Sequence, residues 1–193
     1  MSPQRSNRSA LVAGTLRCLE RLPPERVTAR AIAAESGANL ASIAYHFRSK
    51  DKLVTEAVIE GLDRWLADVA SGLDDIQGQA PAERFRRAGE AIESTRERHA
   101  GLARNFIAAL AKAQHDPRVR ETLAAGFRRT RPTLASILGL GSDEAGEDAA
   151  GLVLALFDGL LFQALLDPAL AIEGDRMQRA QTRLRRVLPD RPD

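Results

Sequence analysis

Prolines and glycines cut this chain into pieces that read as helices and as nothing else. Pro23-Pro24, Gly37, Gly78 to Pro81, His115-Asp116-Pro117, Gly139-Leu140-Gly141-Ser142 and Asp167-Pro168 separate segments whose apolar residues recur every three or four positions. No strand-like alternation of any length interrupts them. The expected fold is therefore all-α, with about nine helices.

The first helix is expected over about 9–22, with Leu11, Thr15, Cys18 and Leu22 on one face. Pro23-Pro24 stops it, because proline has no amide proton and clashes with the preceding turn. Thr28 caps a short second helix, 29–36, which Gly37 ends; Asn39 caps a third, 40–47, with Leu40, Ile43 and Phe47 facing inward. Ser49 caps a long fourth, whose stripe is Val58, Leu62, Trp65, Val69, Leu73 and Ile76. Further helices are expected at about 82–98, 101–114, 117–138, 144–166 and 175–188. The chain then divides into a helix-turn-helix domain, 1–50, and a second domain, 51–193, with helix 51–76 bridging them.

Charge is uneven. Residues 1–50 hold eight Arg/Lys against three Glu, a surplus of +5, whereas 51–193 hold 20 cations against 23 anions, a deficit of −3. A basic end on a mildly acidic body suits contact with a nucleic acid. No run approaches the ~20 apolar residues of a membrane span, and the first residues lack the apolar core of a secretory signal. With a single cysteine, Cys18, and so no intramolecular disulfide, the expected location is the cytoplasm.

Motifs for other chemistries are missing. His46, His99 and His115 lie far apart with no metal-ligand spacing, and neither a nucleophile elbow nor a phosphate-binding glycine loop is present. No metal or cofactor is expected. Asp158, inside an apolar run, is the one acid placed to be buried with a raised pKa; capping, pairing or a ligand contact suits it better than catalysis.

The segment 28–47 has the anatomy of a helix-turn-helix: small packing residues Ala31, Ile32 and Ala33, a turn at Gly37, and Ile43 and Phe47 to pin the second helix. Its outward residues are Ala41, Ser42, Ala44, Tyr45 and Arg48. A helix entering a ~12 Å major groove needs such small residues, plus a few groups that touch bases. Thr28, Arg30, Asn39, Leu40, Ala41, Ser42, Ala44, Tyr45, His46 and Lys50 are the candidate DNA contacts, with Tyr45, His46 and Lys50 able to reach phosphates.

Arg8, Thr28-x-x-x-Ile32-Ala33, Ser36-Gly37-Ala38-Asn39 and Tyr45-His46-Phe47-x-Ser49-Lys50-x-x-Leu53 together resemble the DNA-binding region of the tetracycline-repressor-like (TetR) family. The usual pattern places Tyr two residues before His, where this chain has Ala44. Tyr45 therefore stands ~100° around the helix, open to a base or to a phosphate. The resemblance implies a dimeric repressor of a palindromic operator, released when a small molecule in the C-terminal domain moves the fourth helix.

On that implication, Trp65, Phe85, Leu102, Phe106, Phe127 and Phe157 are candidates to line the ligand pocket, with Asn105 able to orient a ligand. The lack of an acid cluster there favours a neutral or weakly anionic ligand over a multiply cationic one. Leu152, Leu156, Gly159, Leu160 and Gln163 follow one face of the helix over 144–166. Met177, Ala180, Leu184 and Val187 repeat along the last helix, so the two would form a four-helix dimer bundle across a two-fold axis. Two other classes fit the composition: a helical small-molecule-binding protein, and an all-α enzyme acting on a hydrophobic substrate.

Overall fold

The structure is a computed structural model and describes residues 3–73 and 78–187. The expected stripe member Ile76 and the expected helix end at 188 lie outside these residues. Among the described residues there are eight α-helices and no strand: α1 Pro3–Arg21, α2 Ala29–Ser36, α3 Leu40–Phe47, α4 Lys50–Ser71, α5 Pro81–Ala113, α6 Pro117–Leu138, α7 Glu144–Leu166 and α8 Gly174–Leu184.

The segments expected as separate helices over 82–98 and 101–114 are one 33-residue helix, α5. Gly101, expected to open the second of those segments, stands inside α5, and its work is tertiary. A methyl group there would lie 2.4 Å from the Leu19 carbonyl oxygen and 2.8 Å from that of Glu20. Glycine at this point lets α5 lie against the backbone of α1.

One continuous apolar cluster joins the helix-turn-helix to the body. Leu11, Leu19, Ile32, Ile43, Phe47, Leu53 and Val58 pack with Leu102, Phe106, Val119 and Leu123. Phe47 and Leu53 are fully buried, and each such side chain contributes about 1.5–3 kcal/mol. A second cluster, around Trp65, Val69, Ala103, Leu134, Leu138 and Leu161, fills the far end. Leu40 departs from expectation. Standing in the first turn of α3, it projects past its neighbours and is 46% exposed, so Ile43 and Phe47 alone seat the helix.

The last two helices are thinly covered. Leu152 on α7 is 75% exposed, and α8 has no buried residue. By length and composition α7 could cross a membrane, with a mean hydropathy of 2.0 and only 11% of its most apolar stretch buried. Counting uninterrupted apolar residues misses this, because Asp158, Gln163 and the glycines break the run without lowering its mean by much.

Candidate nucleic-acid interface and ligand cavity

Local hydrogen bonds build the helix-turn-helix. Ala31 N–H donates to Thr28 Oγ1 at 3.1 Å, and Ala41 N–H to Asn39 Oδ1 at 2.9 Å, so each helix starts on a side-chain cap. Between them Gly37 takes φ 64°, a left-handed conformation that side chains resist. Ile43 and Phe47 face the core. Ala41, Ala44, Tyr45 and Arg48 are exposed on the other side, with Ser42 and His46 half-buried. Tyr45 is 70% exposed and meets the His46 ring edge-on, centroids 4.8 Å apart. The outer face of α3 is thus slim except at Tyr45 and Arg48, as a groove-entering helix requires.

The charges around α3 fall into two groups. Arg17 and Arg21 hold Glu35 at 2.6 and 2.8 Å; the hydrogen bond from Arg17 keeps that carboxyl below its usual range and neutralises the acid on α2. Arg8 lies over the Phe47 ring, 5.0 Å from its centroid, and pairs with Glu56 at 2.6 Å. By contrast Arg26, Arg30 and Arg48 are exposed and make no ion pair among the described residues. Lys50 turns its Nζ to the Val27 carbonyl oxygen, 3.2 Å away, and stays half-exposed. Arg48 is the one non-glycine residue at positive φ (66°) among those described, and it forms the tight turn into α4. There Ser49 Oγ accepts from Lys52 N–H at 3.1 Å.

A cavity of about 140 Å³ lies among α4, α5, α6 and α7. Trp65, Phe106, Phe127 and Phe157 supply aromatic walls, Ile59, Leu62 and Leu66 the aliphatic wall from α4. Trp65 is fixed by its Nε1–H, which donates to Thr95 Oγ1 at 2.8 Å, and by the His99 ring stacked 4.6 Å away. Asp158 and Asp63 also reach the cavity; Asp63 is paired with Arg129 at 2.6 Å. Burial among apolar side chains pushes the Asp158 carboxyl up to about 6.

A helix-turn-helix with a slim outer face, leading straight into a helix that walls a cavity, can be set against known proteins. The family model for bacterial regulatory proteins of the tetR family matches residues 11–57, and that for the BetI-type transcriptional repressor C-terminal region matches residues 81–189. The chain belongs to the TetR family of transcriptional regulators. No curated protein matches it. Among solved structures, a transcriptional regulator from Rhodococcus sp. Rha1 is 24% identical over 90% of each chain, with a TM-score of 0.65. A transcriptional regulator from Saccharomonospora viridis in complex with choline is 22% identical over 93% of this chain and 95% of its own, TM-score 0.64. The multidrug binding protein EbrR complexed with imidazole is 24% identical over 86% and 82%, TM-score 0.60.

In this TetR-family regulator the expected pocket residues separate. Trp65, Phe106, Phe127 and Phe157 line the cavity together. Phe85 stacks on Phe157, centroids 5.4 Å apart, but lines a second, smaller groove of about 100 Å³ with Leu160 and Met177. Leu102 is core packing. Asn105 Nδ2 donates to the Gly101 carbonyl at 2.9 Å and to that of Leu19 at 3.4 Å, so its amide ties α5 to α1 and not to a ligand. Sequence reasoning missed Ile59, Leu66, Thr130 and Leu154, whose residue types carry no signal until four helices converge. Of the expected dimer residues, Leu152, Leu156, Gln163, Ala180, Leu184 and Val187 are exposed, and Gly159 half-buried beside them.

Proposed function

We propose that this regulator is a repressor that binds a palindromic operator as a homodimer and lets go when a small molecule fills the cavity. The observation that carries the reading is the continuity of α4. Only two residues separate it from α3, and from Lys50 onward, one turn after another, it supplies Ile59, Leu62, Trp65, Leu66 and Val69 to the cavity wall. A ligand that pushes on this wall tilts the helix that carries the reading head.

The two α3 helices of a dimer must meet successive major grooves, ~34–36 Å apart. A ligand acts by its differential affinity for two spacings; a difference of ~1.4–4 kcal/mol weakens operator binding ~10- to 1000-fold. Arg26, Arg30 and Arg48, without an ion pair among the described residues, suit phosphates, as do His46 and Lys50, with Thr28 and Asn39 at the helix starts. Ala41, Ser42, Ala44 and Tyr45 suit base edges, and Leu40 the groove wall. Choline and imidazole in structures of this fold support a small-molecule response.

For the dimer we favour α7 and α8. Leu152, Leu156, Gly159, Leu160 and Gln163 of one copy would pack on the same residues of the other, with Met177, Ala180, Leu184 and Val187 flanking. A second copy would cover the bare α7 face without a membrane, and a regulator that binds chromosomal DNA would work in the cytoplasm. On this division residues 1–50 read DNA, and 51–193 sense and dimerise.

Selection of genomic fragments on the purified protein tests the reading. It should enrich one palindromic site, and binding there should weaken steeply with salt. Failure to enrich any site would refute it.

A further inference from the structure

The body of the molecule is mildly acidic, but one corner of it is basic. Where α5 turns into α6, Lys112, Arg118 and Arg120 stand against a single acid, Asp116. This corner lies beside the helix-turn-helix. Arg48, Asp51 and Lys52, from the turn before α4 and its first residues, share one open cleft of about 480 Å³ with Asp116 and Arg118 at the start of α6.

Most charges around the cleft already have partners. Asp51 holds Lys112 and, at 3.5 Å, Lys50, which ties the head to the body. Asp116 Oδ1 accepts from the Arg118 and Val119 N–H groups at 2.9 and 3.4 Å, and so caps α6. Arg120 Nε and Nη2 donate to the Ala113 and Gln114 carbonyls at 3.0 and 3.3 Å, closing the end of α5. Lys52 stands 3.8 Å from Glu56, which Arg8 also holds. Arg118 differs. It is exposed, and its guanidinium makes no hydrogen bond or ion pair among the described residues. The first turn of α6 has no acid, and the positive end of a helix disfavours a cation. No contact within the fold accounts for this arginine.

We propose that Arg118 is a DNA contact supplied by the sensing domain: with Arg48 and Lys52 across the cleft, it grips the phosphate backbone beside the groove that α3 enters. The proposal rests on reading the outer face of α3 as the DNA-facing surface. Duplex DNA is the occupant that fits. The patch is continuous with that surface, because Arg48 belongs to both. Its free charges are cations, which complement phosphates and are blind to base sequence. A small anion inside the cleft would meet Asp51 and Asp116 on the same walls, whereas a duplex passes outside and presents a row of phosphates to the rim. Later turns of α6 carry Leu123, Phe127 and Thr130 to the cavity. Arg118 thus makes α6, like α4, a direct link from cavity to DNA. Phosphates gripped from both sides hold head and body at one angle, and a ligand that favours another angle weakens this contact together with the seating of α3.

The test uses the full-length protein and fluorescence anisotropy on two labelled duplexes, one of random sequence and one carrying the palindrome enriched by fragment selection. Arg118→Ala should weaken binding to both alike, roughly 5- to 10-fold for each protomer at about 0.1 M salt, and lower the slope of log affinity against log salt by about 1 for each protomer. Arg118→Lys keeps the charge and should keep the slope. Arg118→Ala should unfold no earlier on heating than wild type, so that the loss is one of contact and not of fold. A slope unchanged in Arg118→Ala, a slope lowered as much by Arg118→Lys, or a loss confined to the palindrome would overturn the proposal. Its failure is separable from failure of the operator reading. Ala44→Glu that abolishes operator binding, beside an unchanged slope in Arg118→Ala, keeps the groove reading and removes this contact. A lowered slope on random DNA when selection enriches no site supports the contact and refutes the operator.

Discussion

An acid in a hydrocarbon cavity is costly to ionise, and Asp158 meets that cost only when the chain is folded. Its folded pKa of about 6 lies above the ordinary 3.8, so the native state holds the proton more tightly than the unfolded state. Stability from this group is full below about pH 4, is lost as pH rises towards 6, and stays lost above. Asp158→Asn should therefore be more stable than wild type at pH 8, by on the order of 2 kcal/mol, and the gap should close near pH 3.5; urea unfolding at both pH values measures it, and a gap independent of pH contradicts the assignment. Arg48 gives a second, opposed pair of effects. At φ 66° its side chain is strained, and Arg48→Gly should raise stability by about 0.5–1 kcal/mol. If the exposed Arg48 meets a phosphate as proposed, the same change should weaken DNA binding and lower its salt slope by about 1. Residue-level roles were legible where they are local. Thr28, Asn39 and Ser49 cap the helices their types announce, and Asp158 is perturbed as its apolar neighbours imply. Asn105 was not legible: an amide on a helix looks the same whether it reaches a ligand or the carbonyl of another helix, and here it reaches Leu19.

Helix α5 shows why element boundaries resist sequence reasoning. The sequence suggests a gap between helices over 82–98 and 101–114, and glycine at 101 weakens a helix by roughly 0.5–1 kcal/mol relative to alanine. The gap never forms, because α1 crosses there with its Leu19 and Glu20 carbonyls where a side chain would stand. Gly101→Ala should consequently destabilise the fold by about 1–3 kcal/mol through overpacking, despite its better helix propensity. Chemical denaturation decides the sign, and a stabilised variant would mean that α1 and α5 can move apart. The helix-turn-helix was readable because its turn, caps and buried residues lie within 20 residues of chain. The cavity was only half readable, since its walls come from four helices that no short window contains.

The whole molecule joins three surfaces: a slim outer face on α3, a cavity walled by α4, and bare apolar faces on α7 and α8. If the last are the dimer contact, Leu152→Glu with Leu156→Glu should give a monomer by sedimentation while the monomer stays helical. Operator affinity should then fall steeply, because each reading head binds alone. A dimer that survives both charges would put the contact elsewhere. If the outer face of α3 enters a DNA groove, Ala44→Glu should block it. Ala44 is exposed, so the change should leave stability within about 0.5 kcal/mol. It also sets a bulky negative charge on the slimmest part of that face. Measured by fluorescence anisotropy on the selected palindrome, wild type should bind with a steep, linear dependence on log salt, and Ala44→Glu should lose at least ~100-fold in affinity. Unchanged affinity in a folded Ala44→Glu protein would mean that α3 does not enter the groove.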